Sequence, residues 1–141
     1  MEISNHLDRF IQAQQTKYDD AFSEIKRGKK ISHWMWFIFP QIRGLGNSEM
    51  SEKYAIKDLE EAELFLKHPI LGERLINIST LLSQLTDKTA YDIFGTPDDL
   101  KLKSCMTLFS AVKKSPPIFQ QIIDQYFDGA KDEKTLKMIA G

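Results

Sequence analysis

The stretch Arg43-Gly44-Leu45-Gly46-Asn47-Ser48 combines residue types that can hold an anion. Arg43 offers a forked donor that matches phosphate or carboxylate geometry. Gly44 and Gly46 permit positive φ and close approach of the backbone to a ligand. A helix beginning after Asn47 or Ser48 would add free N–H groups at its start. Just upstream stand both tryptophans, Trp34 and Trp36, with Phe37, Phe39 and Gln41, so an apolar wall abuts a polar loop as it does in many small-molecule pockets. The Gly-x-Gly spacing follows no strand, and it supports neither a dinucleotide-binding fingerprint nor a P-loop. The competing reading is structural: a tight turn capped by Asn47 or Ser48, with the rings packed in the core.

His33 opens the aromatic segment and titrates near neutrality, so it could transfer a proton if it faced a pocket, or else cap or hydrogen-bond beneath the tryptophans. Asp98, Lys101 and Ser104 recur every three residues and lie along one helix edge. Lys101 borders the apolar face of Leu102, Cys105, Met106 and Phe109, where it could pair with Asp98 or point into a cleft. Tyr54 could contribute a hydroxyl or pack in the core. His68, before Pro69, reads as structural, and His6 carries no signal. No His or Cys cluster has metal-ligand spacing, and no serine triad assembles, so no metal site is expected and the sequence names no cofactor. The candidate set is therefore His33 for proton transfer, with Trp34, Trp36, Gln41, Arg43, Gly44, Gly46, Asn47, Ser48, Tyr54, Lys101 and Ser104 for contact with a small phosphorylated or nucleotide-like ligand. The rival is a structural or protein-interaction domain without a small-molecule site.

The elements that must position these residues are helical, because helical periodicity and helix punctuation recur throughout while alternating strand patterns and Asn-Gly hairpin turns are absent. Leu7, Phe10, Ile11 and Gln14 share a face of a first helix, and Thr16 with Asp19 resembles a capping box that opens a second, closed by Gly28. The segment from His33 to Phe39 is read as a short buried helix, since an extended chain without a partner strand would bury unpaired amides. Asn47 or Ser48 then begins a long helix running through Tyr54, Ala55, Leu59, Ala62 and Leu66 to His68-Pro69. Pro69 starts the next, with Leu71, Leu75, Ile78, Leu82 and Leu85 inward. Ala90 to Phe94 forms a short piece stopped by Gly95, Thr96-Pro97 starts another helix, and Ser115-Pro116 one more that ends at Gly129. Leu136 and Ile139 indicate a last short helix. The expected architecture is all α: a single compact domain over residues 1–141, an orthogonal bundle of about seven to eight short helices.

Composition agrees. The 141 residues fit one domain, long enough to bury roughly 65 to 70% of the surface of the unfolded chain. With 42% hydrophobic and 28% charged residues the sequence is too apolar for intrinsic disorder. Nineteen Lys and Arg against twenty Asp and Glu leave a formal charge of −1, which gives nucleic acid little to hold. The basic cluster Lys26-Arg27-Gly28-Lys29-Lys30 reads as cations at a helix C-terminus followed by a glycine cap. One cysteine, Cys105, excludes an intramolecular disulfide and fits a reducing compartment. No apolar run reaches signal-peptide or membrane-spanning length, so a cytoplasmic location without membrane association is expected; a protein partner is not identified.

The chain resembles a small bacterial family of uncharacterised function, domain of unknown function 1810, often labelled calpastatin by automated transfer. The resemblance rests on Asp8-Arg9-Phe10, Ala13-Gln14, the block from Ser32 through Gln41, Arg43-Gly44-Leu45-Gly46, Ser48, Tyr54-Ala55-Ile56, Glu61-Ala62, His68-Pro69, Leu71-Gly72, Arg74-Leu75, Phe94-Gly95, Asp98, Leu100-Lys101, Ser104 and Met106-Thr107-Leu108-Phe109. Cys105 stands where the family pattern usually has serine, which argues against a nucleophilic role. The calpastatin label does not fit, since those inhibitors are largely unstructured and this chain has a complete core pattern. The resemblance implies a compact helical domain and no established activity.

Overall fold

A run of 25 residues without glycine or proline, Glu2–Lys26, forms one unbroken helix, α1. The expected break at Thr16 does not occur, because a β-branched residue within a helix costs only a few tenths of a kcal/mol. Leu7, Phe10, Gln14, Ala21 and Ile25 keep a single buried stripe from Leu7 to its C-terminal turn. Gly28, at φ +84°, ends it as expected. A computed structural model describes residues 2–141, with side chains from His6 onward. The remaining helices are α2 (Met35–Ile38), α3 (Glu49–Lys53), α4 (Leu59–Lys67), α5 (Leu71–Ser83), α6 (Ala90–Phe94), α7 (Asp98–Ser110), α8 (Ile118–Phe127) and α9 (Glu133–Ala140). The described residues thus form nine helices and no strand.

The long helix expected after Ser48 is two. Ser48 does cap α3, accepting the Ser51 amide at 3.1 Å, but the helix stops after five residues. Asp58 accepts the Glu61 amide at 2.9 Å and opens α4. Between them the chain is extended, with Ile56 bridged in parallel to Ile42. At the next corner Pro69 is not the first helical residue. His68 turns its Nδ1 onto the Ile70 and Leu71 amides at 3.1 and 3.3 Å and caps α5 itself. Thr96 is likewise no cap, since Pro97 precedes α7 without a side-chain cap bond. At the end of α8, Asp128 and Gly129 both take positive φ. In α9 the inward residue is Thr135, fully buried, while Leu136 is exposed, contrary to the apolar pattern.

One chain of aromatic contacts runs through the centre: Phe10 of α1 meets Phe65 of α4 at 5.2 Å between ring centres, Phe65 meets Phe109 of α7 at 5.3 Å, and Phe109 meets Phe119 of α8 at 5.9 Å. Around it α7 packs on α8, α4, α6 and α9, while α5 packs on α1, α4 and α8. The short elements α2 and α3 and the loop between them lie on this body.

Candidate functional site

Of the two tryptophans the fold uses one inward and one outward. Four residues of helix cannot hide every ring, because successive side chains are turned about 100° apart. Trp34 is fully buried against Phe39 and Phe94, and its indole N–H donates to Glu24 at 2.9 Å. It offers no face to a ligand, and the expectation that it would is corrected. Trp36 is half-buried and stands between two open hollows of about 450 and 440 Å³, both of which it lines together with Gln41, Gly46 and Ser51.

The loop after the aromatic segment is pinned by the bridge to the α3–α4 connection: Arg43 N–H donates to Ile56 C=O and Ile56 N–H to Gln41 C=O, each at 2.8 Å. Ile42 is thereby drawn into the core and Arg43 left outward. The connection is held in turn from α1. Arg9 donates to the carbonyls of Lys53 and Ala55 at 2.8 and 2.7 Å and lies 3.5 Å from Glu61, whose carboxylate accepts the Lys57 amide at 2.7 Å. Gly44 takes φ +102°, a position unfavourable for any side chain. A Cβ at Gly46 would stand 2.7 Å from the Ser51 hydroxyl.

The first hollow takes Arg43, Gly44 and Tyr54 from the expected set, with Glu52 opposite in charge. Tyr54 is buried, its ring 5.3 Å from Phe37. The second takes Asn47, Ser48, Lys101 and Ser104. Both readings of Lys101 hold together: its ammonium is 3.3 Å from Asp98 and 5.3 Å from the centre of the Trp36 ring, at the wall of the cleft. Asp98 is shared with Lys30, at 2.9 Å, which itself lies over Trp34. Ser104 is buried in the wall and spends its hydroxyl proton on Leu100 C=O at 3.2 Å.

Two expectations are corrected. His33 is exposed and lines neither hollow, because it precedes α2 and is not carried inward by it. The amides at the start of α3 are not a free anion cradle, for the Ser48 side chain occupies one of them and Glu49 and Glu52 stand in the first turn. What the sequence did not disclose is the far wall of the second hollow, Lys103 with Asp132 and Lys134 from the start of α9. Asp132 is engaged as a cap, accepting the Thr135 amide at 3.0 Å and its hydroxyl at 2.6 Å, and its one negative charge is outnumbered on that side by Lys101, Lys103 and Lys134. The break before α4 did have a signal, Asp58 followed three residues later by Glu61. Among the described residues no group of side chains could hold a metal ion, and no helix is long and apolar enough to cross a membrane.

An all-α domain carrying an open groove of one tryptophan, amide and hydroxyl groups and flanking cations is the class of protein that fold and surface define. The chain belongs to the family described as Protein of unknown function (DUF1810), whose model matches residues 4–139. The crystal structure of the conserved hypothetical protein Rv1873 from Mycobacterium tuberculosis at 1.38 Å is similar, with 41% sequence identity, a TM-score of 0.94, and 96% of each chain covered. No curated protein matches the chain.

Proposed function

We propose that the groove on the two sides of Trp36 binds a small anionic molecule, phosphorylated or nucleotide-like. The observation that carries this reading is the sharing of Trp36, Gln41, Gly46 and Ser51 by two adjoining hollows with Arg43 at one end and Lys101, Lys103 and Lys134 at the other. A ligand with a flat ring and a charged group would place the ring by Trp36 and Gln41 and the charge among the lysines, where contacts to a charged partner are strongest. No chemical step is part of this reading. A cytoplasmic setting is, supported by Cys105, a buried free thiol.

The test is a panel of phosphate, sugar phosphates and nucleotides read by thermal unfolding and Trp36 fluorescence, alongside mass spectrometry of small molecules released from natively purified protein. A ligand at a hundred times its Kd adds roughly 2.7 kcal/mol, an upward shift of about 8 °C for a domain of this size. Arg43→Ala and Lys101→Met should each weaken binding about tenfold; the first, at an exposed site, should leave the unliganded melting point nearly unchanged, while the second also gives up the partly buried pair with Asp98 and should cost about 1 kcal/mol. A panel without a shift, or shifts in both variants as large as in the wild type, would discard the reading. Leu100 and Met138, 55% and 45% exposed beside the groove, favour a second reading in which a protein segment docks there. Binding of an anion lost in Lys101→Met but kept in Leu100→Ser separates the two.

A further inference from the structure

Away from the Trp36 groove, α4, α5 and the turn after α7 enclose a hollow of about 370 Å³. Its floor is apolar: Leu66, Ile76, Val112 and Pro116. Its rim is basic. Glu63 is paired with Lys67 at 3.0 Å, which cancels that lysine, while Lys113 and Lys114 make no ion pair among the described residues. Lys114 holds φ +61°, a left-handed position where glycine would be unstrained, so the turn keeps a cation at the rim at some backbone expense.

We infer that this hollow is a second binding site, for a small amphipathic anion: a short acyl or aryl body carrying one carboxylate. The chemistry follows from the two surfaces. A compact hydrated anion such as phosphate would leave the Leu66, Ile76 and Val112 side chains wet and gain little from them. An apolar cation would meet uncompensated lysines. The space lies at the lower end of ligand pockets, which limits the body to about eight carbons, and a concave wall admits a free amphiphile where a bilayer surface would find no projecting apolar face. The inference does not depend on what the Trp36 groove binds.

Octanoate is the probe, titrated at low salt and followed by calorimetry and by amide chemical shifts. Saturable binding with Kd on the order of 1 mM is expected, with shifts centred on Val112 to Ser115 and on Ile76. Octylamine, with the same body and opposite charge, should not saturate, and neither should inorganic phosphate at these amides. Lys114→Gly suits the left-handed backbone and therefore keeps the fold. Combined with Lys113→Gln it should weaken octanoate about tenfold without lowering the melting temperature, and Arg43→Ala should leave octanoate binding unchanged. Octylamine binding as tightly as octanoate, unchanged affinity in the lysine variant, or no saturable response to octanoate would each overturn the assignment.

Discussion

Glu24 shows how one side chain fixes the approach to the groove. Its carboxylate accepts the Ile31 and Ser32 amides at 2.8 and 2.9 Å, the Ser32 hydroxyl, and the Trp34 indole at 2.9 Å. Burial opposes its ionisation, but the Ser32 hydroxyl, the two amides and the indole outweigh that and lower its pKa from 4.5 to about 2. Protons therefore bind the unfolded chain more tightly, and the stabilisation from Glu24 is complete above about pH 4.5 and lost as pH falls toward about 2. Urea unfolding of Glu24→Gln should show a loss of about 3 kcal/mol at neutral pH, with the gap to wild type closing over that acidic range. A gap independent of pH would mean that shape, not charge, holds the turn. Nothing in the sequence singles out Glu24, because its partners are fixed by a turn whose path no local pattern specifies.

At the scale of elements, the corner between α4 and α5 depends on contact too close for a side chain. A Cβ on Gly72 would lie 2.0 Å from Leu66 C=O, a backbone atom that cannot rotate away. Gly72→Ala should cost at least about 3 kcal/mol in chemical denaturation. Gly95→Ala meets nothing within 4 Å but must hold φ +70° with ψ −177°, a region essentially reserved for glycine, and should cost about 2 kcal/mol, all of it backbone strain. Equal losses would show that backbone strain rather than close packing governs the corner. Elements with local punctuation were legible: α6 between its Thr89–Asp92 capping box and Gly95, the Leu71, Leu75, Ile78 and Leu82 stripe of α5, and the short buried α2. Those set by distant pairing were not. Ala55 and Ile56 are residues that a helix also accepts, and what draws the chain out there is the pairing of Ile56 with Ile42, fourteen positions earlier.

For the molecule as a whole, the packing of α7 against α4, α6, α8 and α9 seals Cys105 completely. Burial pushes its thiol pKa well above the ordinary value, and no charged partner offsets this. A thiol reagent in native buffer should therefore modify Cys105 more than about a thousandfold more slowly than the unfolded chain, at a rate tracking global opening. Fast labelling of folded protein would show a local opening of α7. The same packing brings Lys101 and Ser104 of α7, Asp132 and Lys134 beside α9, and Trp36 of α2 to one groove from positions nearly a hundred residues apart. By itself the sequence determined the all-α class, most helix locations, and the loop and lysine at which a site would be sought, because periodicity, caps and glycines act over a few residues. Only the tertiary structure decided that Trp36 and not Trp34 faces outward, that His33 stands apart, and that α9 completes the groove, because side-chain exposure depends on what the rest of the chain packs against.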